Sequence, residues 1–267
     1  MRWTTALVLG FVVGMMLNAV FIMPGVYLLQ CDADMPDREE AAMISWYVPV
    51  FDGERESAHA QVWGITYTGL TRADYETAFR DGSMVRMSVW DRGYVVPDCP
   101  QSVIDGIERT VRTAGSEMSS LTEHQICAVL LAFVRGGITY VHDPITYGCK
   151  DYAASPTETV YLARGDCEDL SILYVSLLRA YGIRSTLITY DTHCMAGIWD
   201  DDYGGWRAVE CTGEVWYKVW RMTTDDPGDG HVLTGSPSDA AVEGWLKMGA
   251  AFAPYNPILY IARMLSV

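Results

Sequence analysis

A run of apolar residues with helical spacing lies in the middle of the chain, directly after a short acidic segment. Its apolar positions recur at intervals of three and four, the pattern of one buried face of an α-helix. They are Leu170, Leu173, Tyr174, Leu177, Leu178 and Tyr181. Asp166 is a good N-cap, Asp169 stands where a capping-box acid belongs, and Gly182 is a typical helix stop. The pattern predicts a buried helix whose first turn carries Cys167.

β-branched and aromatic residues follow this helix and predict three strands. These cover residues 185–190, 193–199 and 206–211, and the polar, glycine-ended segment 200–205 forms a turn between the last two. The sequence therefore predicts an antiparallel sheet directly after the helix.

The predicted turn sets the register of the hairpin. It brings Trp199 beside Trp206, and side chains then alternate between the two faces. His193 and Glu210 fall on one face, opposite or diagonal to each other, whereas a slip of one residue would separate them. A histidine taken alone is more often a satisfied structural residue than a base, but the carboxylate on the same face favours a functional pair.

The remaining patterns predict further elements of an α+β fold. Thr71 caps a helix, and Ser155 and Glu158 form a capping box with proline at the first helical position. Cys127 lies in a continuous apolar run, which indicates core. The predicted strands are 46–50 and 62–67, and the predicted helices are 72–80, 102–114 and 122–134.

The N-terminal segment has the composition of a membrane anchor. From Trp3 to Cys31 there is no charged residue, and about 20 apolar residues suffice to cross a bilayer. The run is longer than the apolar part of a signal peptide and lacks a convincing cleavage site. We therefore expect an uncleaved signal anchor rather than a removed signal. We also expect the N-terminus inside and the domain outside, making a single-pass membrane protein with an extracytoplasmic domain.

Five regions follow from these patterns. They are a transmembrane signal anchor over 1–31, a linker over 32–42, an N-terminal α+β extension over 43–120, a catalytic core over 121–220 and a C-terminal extension over 221–267. Within the last region, the apolar stretch 248–262 is interrupted by prolines and is too short to span. We expect it to dock on the domain or on the membrane surface.

Composition and charge exclude several function classes. A net charge of −15 argues against a phosphate-binding surface, so we expect no nucleic-acid partner. The acidic clusters at 200–202 and 225–226 resemble solvated turns more than calcium loops. The seven cysteines include no C-x-x-C pair and match no common zinc spacing. We expect no metal and no cofactor. An odd number of cysteines fits three disulfides and one reactive thiol.

Cys167 is the candidate nucleophile. The first turn of a helix presents unpaired N–H groups and the positive end of the helix dipole, and both favour a thiolate. The sequence thus predicts a lowered pKa for this thiol, with His193 as the general base and Glu210 as the group that orients it. A buried packing cysteine is the alternative.

These residues carry a family resemblance. The stretch Gly-Asp-Cys-Glu-Asp at 165–169 and its helix resemble the transglutaminase-like superfamily, above all the archaeal and bacterial transglutaminase-like cysteine peptidase branch. The segments 155–159, 193–198 and 209–213 are similar to flanking parts of that family. The resemblance implies a papain-like core, in which the cysteine helix packs on an antiparallel sheet that carries the other two residues. It also implies a catalytic triad of Cys167, His193 and Glu210. The family usually has aspartate in the third position.

The sequence thus predicts a membrane-anchored thiol enzyme that acts on an amide bond of a peptide or protein. The Cys167 N–H supplies one oxyanion donor, and Tyr140 and Tyr152 are candidates for the second. Acyl transfer to an amine and a non-catalytic scaffolding module remain alternatives.

The two strands of the hairpin also carry a possible cross-link. The register sets Cys194 opposite Cys211, on the face away from the His–Glu pair. We expect a disulfide there, although opposed Cβ atoms lie slightly farther apart than a disulfide prefers. Two thiols packed under the sheet are the alternative.

Overall fold

The computed structural model describes residues 33–53, 58, 60–85, 89, 94–213 and 224–233. The predicted anchor over 1–31 and the apolar stretch 248–262 lie outside these residues. In the part of the chain that is described, no helix has both the length and the apolar character needed to cross a membrane.

The fold mixes helices and antiparallel sheet, as predicted. Its strands are β1 Ile44–Val50, β2 Ala60–Thr66, β3 Thr139–Tyr140, β4 Arg164–Gly165, β5 Ser185–Thr189, β6 Cys194–Asp200, β7 Gly205–Val209 and β8 His231–Val232. Its helices are α1 Arg72–Val85, α2 Gln101–Thr113, α3 Glu123–Gly137, α4 Asp143–Thr146, α5 Pro156–Leu162 and α6 Cys167–Ala180. A short 3₁₀ helix at Met118–Ser120 connects α2 and α3.

Hydrogen bonds at the first turn confirm the predicted starts of helices α1, α3 and α5. Thr122 exchanges bonds with Gln125 at the start of α3, and Ser155 does the same with Glu158 at the start of α5. At α1, the hydroxyl oxygen of Thr71 accepts a hydrogen bond from the backbone N–H of Asp74 over 3.2 Å. Each cap satisfies N–H groups that have no partner inside their helix.

A four-stranded antiparallel sheet in the order β7-β6-β5-β8 supports helix α6. Trp199 pairs with Trp206, and the ladder continues to Ala196 opposite Val209, which is the predicted register. Strand β8, from the predicted C-terminal extension, pairs with β5. Helix α6 is buried along almost its whole length between this sheet and helices α3 and α5.

The predicted disulfide between Cys194 and Cys211 is wrong. Both residues are fully buried free thiols, as the alternative interpretation had it. The hairpin register sets them across from each other, but opposed Cβ atoms in a sheet lie farther apart than a disulfide needs. The two sulfurs pack under the sheet as small apolar groups.

Strands β1 and β2 form a separate antiparallel hairpin that packs one face on helix α3. Trp46 on that face is 1% exposed, donates its indole N–H to Thr66 over 2.9 Å, and meets the ring of Phe133 edge-on. The last residue of α3, Gly137, lets the helix approach β1 closely. A Cβ at this position would lie only 2.4 Å from a methyl group of Ile44.

This close approach predicts that Gly137→Ala lowers the free energy of unfolding by about 1–3 kcal/mol, because a methyl group overpacks the contact. The matched control is the exposed neighbour Gly136. Gly136→Ala should be neutral or raise stability by about 0.5–1 kcal/mol, since alanine favours a helix over glycine. Urea denaturation of both variants measures the difference. Equal stability of the two variants would contradict the packing described here.

Candidate active site

Cys167 begins helix α6 and is 7% exposed. Its thiol donates a hydrogen bond to Oε2 of Glu168 over 3.0 Å. The backbone N–H of Cys194, the residue after His193, bonds to the same sulfur. The start of strand β6 therefore lies against the candidate nucleophile. Among the described residues, no hydrogen bond joins the Cys167 sulfur to the imidazole of His193.

His193 and Glu210 lie together, on the shared face that the register predicts. Nε2 of the imidazole is 2.8 Å from Oε2 of Glu210, and both side chains are about one-third exposed, 35% and 37%. This contact uses one ring nitrogen and leaves Nδ1 without a partner among the described residues. The pair is thus accessible from solvent.

Thr212 holds the carboxylate of Glu210 in place. Its backbone N–H and its hydroxyl both donate to Oε1 of Glu210, over 2.8 Å and 2.6 Å. Burial raises the pKa of Glu210, but the bonds from Thr212 and His193 outweigh it and leave the pKa below its usual range. Glu210 is therefore an anion, which is the state that can orient an imidazole.

Helix α3 contributes a further contact to this strand end. The guanidinium of Arg135 donates to the carbonyl of Gly213 over 2.7 Å. A Cβ at position 213 would lie 2.1 Å from the guanidinium, so any other residue there would displace it. Arg135 thus ties the segment after Glu210 to the core.

A cluster of buried carboxyl groups surrounds the start of α6. Asp143, Glu168 and Asp169 are 1%, 3% and 0% exposed, and Asp166 is 8% exposed. Burial, followed by the charges of Asp166 and Glu168, raises the pKa of Asp143 to about 8. Burial and a hydrogen bond that the protonated Glu168 carboxyl donates to Asp166 raise the pKa of Glu168 to about 10. Burial raises the pKa of Asp169 well above its usual range.

This carboxyl cluster has the chemistry of a divalent cation site. Oxygens of Asp143, Asp166 and Asp169 lie within 4.8 Å of one another, as do those of Asp143, Asp151 and Glu168. One oxygen of Asp143 and one of Asp166 are buried without a hydrogen-bond partner. Carboxylate oxygens at such spacing suit calcium or magnesium. The sequence did not predict this cluster, because Asp143 is far from Asp166 and Asp169 along the chain and comes close to them only in the folded structure.

Comparison with known proteins identifies the domain. Residues 117–211 match the model of the transglutaminase-like superfamily. The chain carries a transglutaminase-like domain. The match contains Cys167, His193 and Glu210, and the superfamily has a fold suited to cysteine-based acyl transfer or hydrolysis. No curated protein matches the chain significantly.

The predicted lowering of the Cys167 pKa is wrong for the free transglutaminase-like domain. Burial raises the pKa of this thiol above its usual range, and the charge and hydrogen bond of Glu168 raise it further. The Cys194 N–H opposes this shift but does not outweigh it. The start of α6 favours negative charge, but burial and the adjacent carboxyl groups of Glu168 and Asp166 outweigh this effect at the thiol.

The two tyrosines considered as oxyanion donors differ in position. The hydroxyl of Tyr152 is buried and bonds to Glu158 over 2.8 Å, which occupies it. Tyr140 pairs with Gly165 in the short parallel sheet of the transglutaminase-like domain and is 43% exposed. Burial, followed by the charges of Cys167, Asp166, Glu168 and Glu210, raises its pKa to about 12. It therefore lies beside the nucleophile as a neutral phenol.

These electrostatics predict the pH dependence of Cys167 alkylation. In the free protein, iodoacetamide should label Cys167 appreciably only above neutral pH, since burial and Glu168 disfavour the thiolate. Glu168→Gln removes that carboxylate and should shift the profile to lower pH by about one unit or more. Peptide mass spectrometry measures the labelling.

Cys127 in the same molecule is the internal control. Burial raises its pKa to about 12, and Glu168 is not among the groups that influence it. Its profile should therefore not change in the Glu168→Gln variant. A Cys167 profile with a midpoint below neutral pH in both proteins would instead indicate an ion pair with His193.

Proposed function

We propose that this protein is a thiol enzyme that cleaves, or transfers, an amide bond of a peptide or protein through a thioester on Cys167. The 2.8 Å contact between His193 and Glu210 is the main support for the proposal. The strand that carries His193 bonds directly to the Cys167 sulfur, and all three residues lie in the matched transglutaminase-like domain. This combination is what nucleophilic catalysis by a thiol needs.

In this proposal the reaction begins when the Cys167 thiol leaves Glu168 and turns to Nδ1 of His193. The imidazole takes the thiol proton, and the sulfur attacks the amide carbon. Glu210 remains an anion and stabilises the imidazolium that forms. The tetrahedral intermediate then collapses, the C–N bond breaks, and His193 returns its proton to the leaving amine.

The thioester is then resolved by a second nucleophile. Water gives a carboxylic acid and an amine gives a new amide; in either case His193 takes the incoming proton and returns it to the sulfur. The Cys167 backbone N–H and the Tyr140 hydroxyl are the proposed oxyanion donors. Tyr140 supports this role because it is neutral and because its hydroxyl bonds to no other described residue.

Hydrolysis is preferred over acyl transfer on one observation. His193 and Glu210 are each more than one-third exposed at the candidate site, so water reaches the base. A non-catalytic scaffold is the other alternative. The hydrogen bonds from Thr212 keep Glu210 ionised beside His193, and a scaffold would not need that arrangement.

We also propose that the uncharged segment 3–31 anchors the protein in a membrane with its catalytic domain outside the cytoplasm. The proposal rests on length and composition. Residues 34–42 then connect this segment to the domain along hydrogen-bonded contacts, at Asp34 with Tyr147 and at Ala42 with Tyr161.

The thioester mechanism predicts a graded series of variants. Cys167→Ala should abolish labelling by an electrophilic thiol-protease probe and turnover of any amide substrate. His193→Ala should reduce turnover by about 10³-fold or more, because no base remains to activate the thiol. Glu210→Gln should retain measurable turnover, since the amide oxygen can still accept from the imidazole. Probe labelling and peptide cleavage followed by mass spectrometry measure these effects.

Glu210→Asp is the matched control for the third position. It restores the residue usual in the family but shortens the side chain that Thr212 holds. Full turnover in Cys167→Ala would show that the mechanism is wrong. Formation of amide products from an added amine such as cadaverine, faster than hydrolysis, would select the acyltransferase alternative.

The anchor predicts that the full chain sediments with membranes and resists extraction by alkaline carbonate. A chain that starts at Asp32 should remain in the soluble fraction. Mass spectrometry of the mature protein provides the control, since a new N-terminus at residues 25–35 would replace the anchor by a cleaved signal. Extraction of the full chain by carbonate would contradict the anchor but not the chemistry.

A further inference from the structure

The hairpin of β1 and β2 has two faces of different character. One face packs on helix α3, with Ile44, Trp46 and Val48 at most 1% exposed. The opposite face carries large apolar side chains, four of which are more than 40% exposed. We call it the hairpin face; it consists of Met43, Tyr47, Trp63, Ile65 and Tyr67.

The exposure of the hairpin face is large for a group of apolar side chains. Met43, Trp63, Ile65 and Tyr67 are 64%, 55%, 43% and 61% exposed. The ring of Tyr47 meets Trp63 edge-on, with their centres 4.9 Å apart. Contiguous exposed apolar groups of this kind mark a surface that binds another protein or a membrane.

The hairpin also lacks charge. In a chain in which 20% of the residues are charged, none of the residues 43–50 and 60–67 is. Tryptophan and tyrosine are the residues that concentrate at the boundary between lipid and water, because each has an apolar ring and a polar group. The hairpin face therefore has the composition of a surface that rests at a bilayer interface.

The route of the chain brings the hairpin near the proposed anchor. Asp34, three residues after the uncharged segment ends, donates its N–H to the carbonyl of Tyr147 over 2.8 Å. Three residues reach at most about 10 Å, so a membrane-inserted segment would hold the domain against the bilayer. The hairpin face begins nine residues later, at most about 30 Å farther along the domain.

We propose that the hairpin face is a second membrane contact, in which Trp63 and Tyr67 lie among the lipid headgroups. This inference rests on the membrane anchoring under Proposed function and is independent of the thiol chemistry. Because the chain is strongly acidic, the contact is apolar rather than electrostatic and does not require anionic lipid. It fixes the orientation of the domain, and hence of its active site, relative to the bilayer.

Photo-crosslinking of the full chain in phosphatidylcholine nanodiscs tests the proposal. p-Benzoylphenylalanine is placed at one position at a time, in place of Trp63, Tyr67, Phe11 or Tyr203. Tyr203 lies on the turn between β6 and β7 and is 54% exposed, which matches Trp63. Intact mass spectrometry detects phospholipid adducts, and the thermal unfolding midpoint of each variant checks that it folds.

We expect lipid adducts from positions 63, 67 and 11 and none from position 203. Adducts from position 11 alone would overturn the hairpin contact and leave the anchor standing. A covalent dimer from position 63 would overturn it in favour of a second copy of this chain. If neither position 11 nor position 63 yields a lipid adduct, both the anchor and the hairpin contact are wrong.

Discussion

The attachment of helix α6 to strand β6 is the interaction on which the candidate site depends. One residue of the strand, Cys194, bonds to the helix at two places. The Ser171 hydroxyl donates to the carbonyl of Cys194 over 3.1 Å, and the N–H of Cys194 bonds to the Cys167 sulfur. Because His193 directly precedes Cys194, the backbone that carries the candidate base cannot move away from the thiol without breaking buried hydrogen bonds. Such bonds are costly to break without a replacement partner.

Two electrostatic effects oppose each other at the start of α6. The helix end favours a thiolate, whereas burial and the two adjacent carboxyl groups of Glu168 and Asp166 disfavour it. The raised pKa of Cys167 shows that burial and the acids prevail in the free domain. The protein thus holds its nucleophile as a thiol bonded to Glu168. Displacement of this carboxyl group by a substrate would free the thiol to turn toward His193.

The third catalytic candidate shows how a longer side chain can serve in place of a shorter one. Glu210 has one more methylene than the aspartate usual in the family. Thr212 holds one oxygen of its carboxylate, which leaves the other 2.8 Å from His193. Arg135 ties the following residue, Gly213, to helix α3. The position is therefore set by contacts outside the pair itself.

Local patterns in the sequence determined the helix that carries Cys167, the caps of α1 and α5, and the register that pairs Trp199 with Trp206. Each depends on residues close together in the chain, through helical periodicity, side-chain capping or alternation along a strand. Only the tertiary structure decided the protonation of Cys167 and the free thiols of Cys194 and Cys211. A pKa depends on burial and on charges from distant segments, and a disulfide depends on the separation of two Cβ atoms within a fraction of an ångström. Neither the pKa nor the separation of the two cysteines can be inferred from the order of residues alone, because both depend on how separate elements of the fold pack together.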